Sequence, residues 1–292
     1  LCCYKSNILI DTIITLTCIF NSGCEYSIFF KVCESSFFRI YFWTDYEKFL
    51  FLSEFKPLDM TAKSLAEKQA KYEKLKPFFS ENKALLFERV IANRTRYLTV
   101  LVENIFQPQN ASAVLRTCDL TGIQDVHIVE NYNTYEVNPQ VALGASKWLN
   151  LFKYNEKAYN TLDAYDALRA EGYRIVATNP HCDGVSPEEL DIHSGKIALV
   201  FGTELEGLTD TAKEQADEYV TIPMYGFTES YNISVSAALI LRELSKRMRK
   251  SNITWQLSDH EKIDILIEWA LQVINRKRNH LKDDFFERVD KG

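Results

Sequence analysis

The sequence lacks the paired cysteines and histidines on which metal sites and disulfide-bonded folds depend. Seven cysteines occur among 292 residues, but five of them precede residue 34 and none has C-x-x-C spacing. The five histidines are scattered along the chain. Zinc ligands usually come in closely spaced pairs, and disulfide-rich domains are short and secreted. The sequence therefore predicts no metal site and no disulfide framework.

A basic overall charge and a long apolar run are also missing. The net charge is -6, so any contact with nucleic acid must come from local basic clusters. The apolar run over residues 8–20 is interrupted by Asp11 and is too short to cross a membrane. It also lacks the basic flank and the cleavage site of a signal peptide. We expect a cytoplasmic protein with no membrane contact.

Residues 1–59 differ from the rest of the chain. They are rich in Phe, Ile, Cys and Tyr and show no sustained period of 2 or 3.6 residues. The first methionine is Met60, and "MTAKSLAEKQAKYEKLKPFF", which begins there, has the dense Lys and Glu of an amphipathic helix. Our hypothesis is that the biological protein starts at Met60. An ordinary N-terminal extension is the alternative, and the intact mass of the natively expressed protein distinguishes the two.

From Met60 onward, short apolar runs alternate with helical patterns. Helices are predicted over 61–75, 81–93, 111–121, 161–171, 209–216, 233–249 and 258–274, and strands over 97–102, 126–129, 174–177, 197–201 and 219–222. Such alternation predicts an open α/β domain with a mostly parallel sheet, here residues 94–250. Residues 60–93 and 251–292 are the expected helical extensions, the second opened by a Ser258–Glu261 capping box.

The loops that leave the carboxyl ends of these strands are the places to look for a ligand site. "GTELEG", residues 202–207, is followed by no Lys-Ser/Thr and is not a phosphate-binding loop, and the chain contains no G-x-G-x-x-G. Its two glutamates suit a ligand with a cationic or hydrogen-bond-donating part. Alternatively, Gly202 and Gly207 are simple turn residues and the glutamates are solvated.

The loop before the 111–121 helix has a local explanation. Pro108 stops the preceding strand, and Asn110 is placed to cap the helix. Arg116 follows six residues later, and its side chain leans back toward Asn110. The alternative is that Asn110 is only a cap and that Arg116 pairs with Asp119 or Glu103.

The loop over residues 223–231 is equally open to two interpretations. Ser230 and Asn232 precede a helix, and either one is a possible cap. The residues around them are apolar or aromatic, which is the kind of slot that an adenine ring needs. These residues are Met224, Tyr225, Phe227 and Tyr231.

Taken together, three segments resemble a known family. "ENIFQPQNASAVLRTCDLTGI", "IALVFGTELEGLT" and "VTIPMYGFTESYNISVSAALIL" have the order and spacing of the signature motifs of SpoU-type RNA 2'-O-ribose methyltransferases of the SPOUT superfamily. The chain is most similar to the tRNA guanosine-2'-O-methyltransferase (TrmH) group. The resemblance implies a C-terminal trefoil knot, S-adenosylmethionine as methyl donor, no metal, and a homodimer with its active site at the subunit interface. It also implies a tRNA substrate, with the D-loop guanosine at position 18 as target.

The resemblance also implies roles for individual residues. The catalytic group matches Asn110, Arg116, Glu204, Ser230 and Asn232, with Arg116 holding a phosphate. The methyl donor is expected against Thr178, Gly202, Ile222, Met224 and Tyr231. The second acid of "GTELEG", Glu206, departs from the family pattern and leaves open which glutamate is structural.

Three basic clusters are candidates for RNA contacts in an otherwise acidic chain. They are "NRTR", with Arg94 and Arg96, "KRMRK", with Lys246, Arg247 and Arg249, and "NRKRNH", residues 275–280. The alternative for the second cluster is ordinary helix C-terminal cations. Three other functions stay open: a related methyltransferase acting on rRNA or another tRNA nucleoside, an inactive RNA-binding relative, and a nucleotide-binding regulatory domain.

Overall fold

The structure is a computed structural model that divides into two compact units, Leu1–Glu67 and Lys68–Gly292. It describes residues 13–19, 25–33, 37–43, 50–55, 60–136 and 138–289. In the first unit, four strands form an antiparallel sheet in chain order. These are β1 (Ile13–Ile19), β2 (Glu25–Cys33), β3 (Phe37–Trp43) and β4 (Leu50–Phe55). Much of residues 1–59 lies outside the described residues, and the hypothesis of a start at Met60 stays a prediction.

The second unit contains a six-stranded sheet in which every neighbouring pair is parallel. Its strands are β5 (Leu98–Glu103), β6 (Asp125–Val129), β7 (Asn150–Tyr154), β8 (Tyr173–Thr178), β9 (Lys196–Phe201) and β10 (Glu218–Val220). The strand order is β10-β8-β9-β5-β6-β7, so β5 lies in the interior of the sheet. The predicted open α/β fold with a parallel sheet is confirmed.

Helices cover both faces of this sheet and flank it in the chain. They are α1 (Met60–Leu75), α2 (Glu81–Ile91), α3 (Pro108–Thr121), α4 (Pro139–Ala142), α5 (Thr161–Ala170), α6 (Asp210–Glu214), α7 (Ile233–Lys250) and α8 (Asp259–Val289). Among the described helices, none combines the length and apolarity that a membrane span requires.

Alternate residues of β5 point to two separate cores, as expected for a strand that is covered on both sides. Leu98, Val100 and Val102 pack with α3 and α7, whereas Leu101 packs with α5 and α6. This arrangement fixes α3 and α7 together on one face of the sheet. It also leaves the carboxyl ends of the strands free to carry loops.

Two details of the predicted elements are wrong. Helix α3 begins at Pro108, and Gln107 is the residue before it, so Pro108 starts the helix and Asn110 lies within its first turn. Strand β7 was not predicted, because the edge strand is only half-buried and Lys153 interrupts its apolar pattern. The capping box of α8 is confirmed, since Glu261 accepts a hydrogen bond from the Ser258 amide at 2.8 Å.

Candidate active site

Three loops meet at the carboxyl edge of the parallel sheet. One follows β5 and leads into α3, one follows β9, and one follows β10 and leads into α7. These are the loops that carry the three sequence motifs. In an open parallel sheet, this edge is where ligands bind.

One asparagine, Asn232, connects the three loops through side-chain hydrogen bonds. Its amide nitrogen donates to Asn110 Oδ1 at 3.2 Å and to Glu204 Oε1. Its amide oxygen accepts from the Ser234 backbone N–H at 2.9 Å and so caps α7. Asn232 is therefore both the cap of α7 and the point where the three motifs converge.

The loop after β9 folds tightly on itself. Thr203 N donates to the Gly207 carbonyl at 2.9 Å, and Gly207 adopts a left-handed φ of 69°. A side chain on Gly202 would overlap the backbone of Gly207. Both glycines are required by the loop itself, which confirms them as turn residues without excluding a ligand beside them.

A cavity of about 310 Å³, which we call the active-site cavity, opens next to this loop. All five residues expected at the methyl donor line it: Thr178, Gly202, Ile222, Met224 and Tyr231. Glu204 and Ser230 line it as well. Tyr225 and Phe227, which the sequence suggested for an adenine slot, are almost fully exposed and do not line it.

The structure also separates the two glutamates of the second motif. Glu204 accepts from Asn232, whereas Glu206 accepts a hydrogen bond from the Tyr132 hydroxyl at 3.1 Å. Glu204 therefore belongs to the convergence of the motifs, and Glu206 ties its loop to the loop after β6.

Arg116 is exposed on α3 and does not line the cavity of its own chain. Its suggested ion pairs are wrong, because Asp119 pairs with Arg94 and Glu103 bonds to two threonines. Within the described residues, Arg116 has no hydrogen bond or ion pair.

The interpretation of Arg94 as an RNA contact is wrong because its side chain is only 1% exposed. Its guanidinium pairs with Asp119, donates to the Ile123 carbonyl at 2.9 Å and lies over the Trp269 ring. The basic cluster at residues 93–96 therefore holds α2, α3 and α8 together.

The other predicted RNA contacts of the first two clusters also have partners in the chain, although they are less buried. Arg96 pairs with Asp125 and Glu261, and Lys246 pairs with Glu243. The remaining two donate to backbone carbonyls: Arg247 to Pro187, and Arg249 to Asn93 and Thr121. Their contact with RNA stays a prediction.

A second cavity, of about 690 Å³, lies between α2, α7 and α8. We call it the basic groove. Its cations are Lys83, Arg89, Arg94, Arg242, Lys246 and Arg249, and its aromatic floor is Phe87, Trp148 and Trp269. Lys83, Arg89 and Arg242 were not predicted, because each is an isolated cation on a different turn of a helix that only the fold brings to the groove. Of the six cations, Arg89, Arg242 and Lys246 are exposed, and Arg94 is buried.

Helices α3 and α7 connect the active-site cavity with the basic groove. Their first turns meet at Asn110 and Asn232, and their last turns meet where Ser245 Oγ donates to the Thr121 carbonyl at 3.1 Å. The two helices therefore run side by side in the same direction. Asn232 and Lys246 lie roughly 20 Å apart along α7 at 1.5 Å per residue.

Comparison with known proteins identifies the domain that carries this geometry. Residues 97–242 match the model of the SpoU rRNA Methylase family. The chain belongs to the SpoU methylase family. A tRNA (guanosine(18)-2'-O)-methyltransferase of Borreliella burgdorferi is 44% identical over 200 residues, covering 68% of this chain and 89% of that protein. The Thermus thermophilus protein of the same name is 32% identical and covers 62% and 92%.

The fold agrees with a solved member of the family. The crystal structure of the Aquifex aeolicus TrmH/SpoU tRNA modifying enzyme matches with a TM-score of 0.59 and 29% identity. The match covers 66% of this chain and 96% of that one. The trefoil knot expected for the SpoU fold stays a prediction.

The two cavities relate differently to the SpoU domain. Every residue that lines the active-site cavity lies within residues 97–242. Much of the basic groove lies outside this range, including Lys83, Arg89, Lys246 and Trp269. The active-site cavity thus lies within the SpoU domain, whereas residues outside that domain form much of the basic groove.

Proposed function

We propose that this SpoU protein is an S-adenosylmethionine-dependent tRNA methyltransferase that modifies the ribose 2'-hydroxyl of guanosine 18 in the D-loop. The observation that carries the proposal is the contact of Asn110, Glu204 and Asn232 beside the 310 Å³ cavity. The names of the Borreliella and Thermus relatives support the substrate and the position. A tRNA substrate also agrees with the cytoplasmic location expected from the sequence.

The cavity has the chemistry that S-adenosylmethionine requires. Ile222 and Met224 offer apolar contacts for the adenine, and Tyr231 adds an aromatic surface. Glu204, Glu206 and Glu229 also line the cavity and favour a ligand with a cationic sulfonium. When bound, the cofactor supplies the methyl group.

The residues of the protein have to position the ribose and to allow the proton of its 2'-hydroxyl to leave. The 2'-oxygen must lie in line with the methyl group and must lose its proton as the new bond forms. Asn232 has no free hydrogen-bonding group, so its part is to hold Asn110 and Glu204 in place. Ser230 lines the cavity and has no side-chain hydrogen bond within the described residues, so it is available to the ribose.

Arg116 acts on RNA held by a second copy of the chain in this proposal. It is exposed, it lacks a partner among the described residues, and it lies on the same helix as Asn110. Two apolar side chains on the neighbouring helix α7, Val235 and Leu239, are also exposed, which suits a homodimer interface. A planar guanidinium binds a phosphate through two hydrogen bonds and stabilises the developing alkoxide.

The basic groove is the proposed contact for the rest of the tRNA. Arg89 and Arg242 are exposed cations without ion pairs among the described residues, and they flank an aromatic floor. Exposed cations are what RNA phosphates require, whereas Phe87 and Trp269 beneath them are buried.

The proposal is tested by incubating the protein with donor carrying a labelled methyl group and with unmodified tRNA. Transfer of label to tRNA, and not to rRNA, is the expected result. Donor binding without transfer would indicate the inactive RNA-binding relative. Nucleotide affinity with neither donor binding nor transfer would indicate the regulatory domain.

A further inference from the structure

Glu103 is a buried carboxylate at the carboxyl end of the interior strand β5. Its side chain is 1% exposed, yet no Lys, Arg or His of the described chain pairs with it. A buried carboxylate is costly unless its oxygens are satisfied by hydrogen bonds. Glu103 therefore has to be explained by the donors that surround it.

Among the described residues, its only donors are two threonines at helix starts. Thr161, the first residue of α5, donates its hydroxyl to Oε1 at 2.5 Å. Thr209, the N-cap of α6, donates its hydroxyl to Oε1 at 2.8 Å and its backbone N–H to Oε2 at 2.9 Å. Both carboxylate oxygens are thus occupied.

Thr209 is also the point where the loop of the second motif ends. Residues 202–208 of that loop all line the active-site cavity. At its other end the loop is continuous with β9, so the bonds of Glu103 to Thr209 fix the far end of the cavity wall. Glu103 itself does not line the cavity.

A second, outer tie begins at the next residue, Asn104. This residue is buried, has a left-handed φ of 54°, and accepts from the backbone N–H groups of Asn131 and Tyr132. Tyr132 then reaches Glu206 through its hydroxyl. Two sets of hydrogen bonds therefore connect the loop to the end of β5. Glu103 bonds to Thr209 directly, and Asn104 is linked to Glu206 through Tyr132.

We propose that Glu103 is a positioning residue that holds the loop over residues 202–208 in the shape that binds the methyl donor. The proposal rests on the proposed function, because it assigns the donor to this cavity. It concerns a residue that touches neither the donor nor the RNA.

A carboxylate is required at this position for a chemical reason. Oε2 faces a backbone N–H that has no freedom to turn, and Oε1 faces two hydroxyls. A glutamine has only one acceptor oxygen, and its NH₂ group would oppose at least one of these donors. Replacing Glu103 by Gln therefore preserves size but leaves a buried donor unpaired.

The test compares Glu103→Gln with Glu130→Gln in the full chain. Glu130 is a matched control because it also follows a strand, β6, and accepts from one backbone N–H and two side chains. The measurements are hydrogen exchange of the amides over 203–209 and the Kd for S-adenosylhomocysteine. The KM for the methyl donor and kcat with tRNA are measured separately.

We expect Glu103→Gln to speed exchange over 203–209 and to raise the Kd and KM by about 10-fold, with a smaller change in kcat. Glu130→Gln should leave both the loop exchange and the Kd unchanged. Equal behaviour of the two variants overturns the proposal. If the wild-type protein itself fails to bind S-adenosylhomocysteine, the proposed function fails instead.

A second pair of variants covers the case in which Glu103→Gln does not fold. Thr161→Val removes a hydroxyl that bonds to Glu103 from a residue outside the loop, whereas Thr161→Ser retains it. The valine variant should show faster loop exchange and weaker S-adenosylhomocysteine binding, and the serine variant should restore both. Loss of binding in both variants, or in neither, contradicts the role of Glu103.

Discussion

At the scale of single residues, the site depends on Asn232, whose side-chain hydrogen-bonding groups all have partners. The two amide hydrogens of Asn232 go to Asn110 and Glu204, and its oxygen accepts from the N–H and the hydroxyl of Ser234. Two functions are therefore combined in one side chain. Its oxygen caps a helix, and its nitrogen joins three loops.

These two functions are separable by substitution. Asn232→Ser retains a cap oxygen but loses the amide donor and adds no charge beside Glu204, so we expect stability within about 1 kcal/mol of wild type and an activity loss of about 100-fold. Asn232→Ala should lose the same activity and also about 1 kcal/mol of stability, because the cap is gone. Urea unfolding and methyl-transfer assays measure both. An active Asn232→Ser variant would show that the amide group of Asn232 is not needed for methyl transfer.

At the scale of elements, strand β6 carries a buried histidine that makes stability depend on pH. His127 is 4% exposed, stacks on Phe152 at 4.9 Å and meets the Tyr154 hydroxyl at 3.0 Å. Burial lowers its pKa to about 4 from an ordinary value of 6.5. Between about pH 4 and 6.5, His127 is therefore neutral in the folded protein but protonated in the unfolded chain.

The stabilising effect of neutral His127 is complete above pH 6.5 and is lost as the pH falls toward 4. By pH 4.5 the loss should reach about 2 kcal/mol. Urea unfolding at pH 7.5 and 4.5 measures it, with His127→Phe as the control that keeps the stacking. If wild type and His127→Phe lose equal stability over this range, His127 is not the cause.

At the basic groove, the exposed arginines should affect tRNA binding, whereas the buried Arg94 should affect stability. Arg89→Ala and Arg242→Ala should each weaken tRNA binding and reduce its dependence on log salt by about 0.7 to 0.9 per lost phosphate contact. Neither should change the unfolding free energy. Arg94→Met should do the reverse, costing about 2 kcal/mol of stability because it leaves Asp119 unpaired. If the salt dependence of tRNA binding changes in Arg94→Met but not in Arg89→Ala or Arg242→Ala, the basic groove is not the contact for tRNA.

The sequence predicted the elements that repeat a local pattern, and it missed what depends on contacts between distant segments. Strands buried on both faces were recognisable from short apolar runs, whereas the half-exposed β7 was not. Asn110 was predicted as a cap because local rules favour it, but its amide serves the site. Arg94 looked like a surface cation because nothing nearby in sequence shows Trp269 and Asp119 around it. The cavity residues were predicted through a family motif, which encodes tertiary contacts that periodicity does not contain.

At the scale of the whole molecule, the proposal requires two copies of the chain for one active site. Asn232 bonds to Glu204, which lines the cavity of its own chain, whereas Arg116 does not line that cavity. If Arg116 completes the site of a second copy, two inactive variants should rescue each other. Subunits with Arg116→Ala supply an intact Asn232, and subunits with Asn232→Ala supply an intact Arg116.

Refolding an equal mixture of these two variants should restore about a quarter of wild-type activity, because half of the dimers are mixed and each has one intact site. Each variant alone, refolded in the same way, is the control. No recovery in the mixture would place Arg116 and Asn232 in the same subunit's site.

We propose that three loops of this SpoU protein act together on one ribose hydroxyl. This proposal is tested most directly by mapping the methyl group that the protein transfers to unmodified tRNA, beside a tRNA with 2'-deoxyguanosine at position 18. We expect one 2'-O-methyl group at guanosine 18 and no transfer to the deoxy tRNA. A methyl group on a base, or undiminished transfer to the deoxy tRNA, would show that the ribose hydroxyl is not the target.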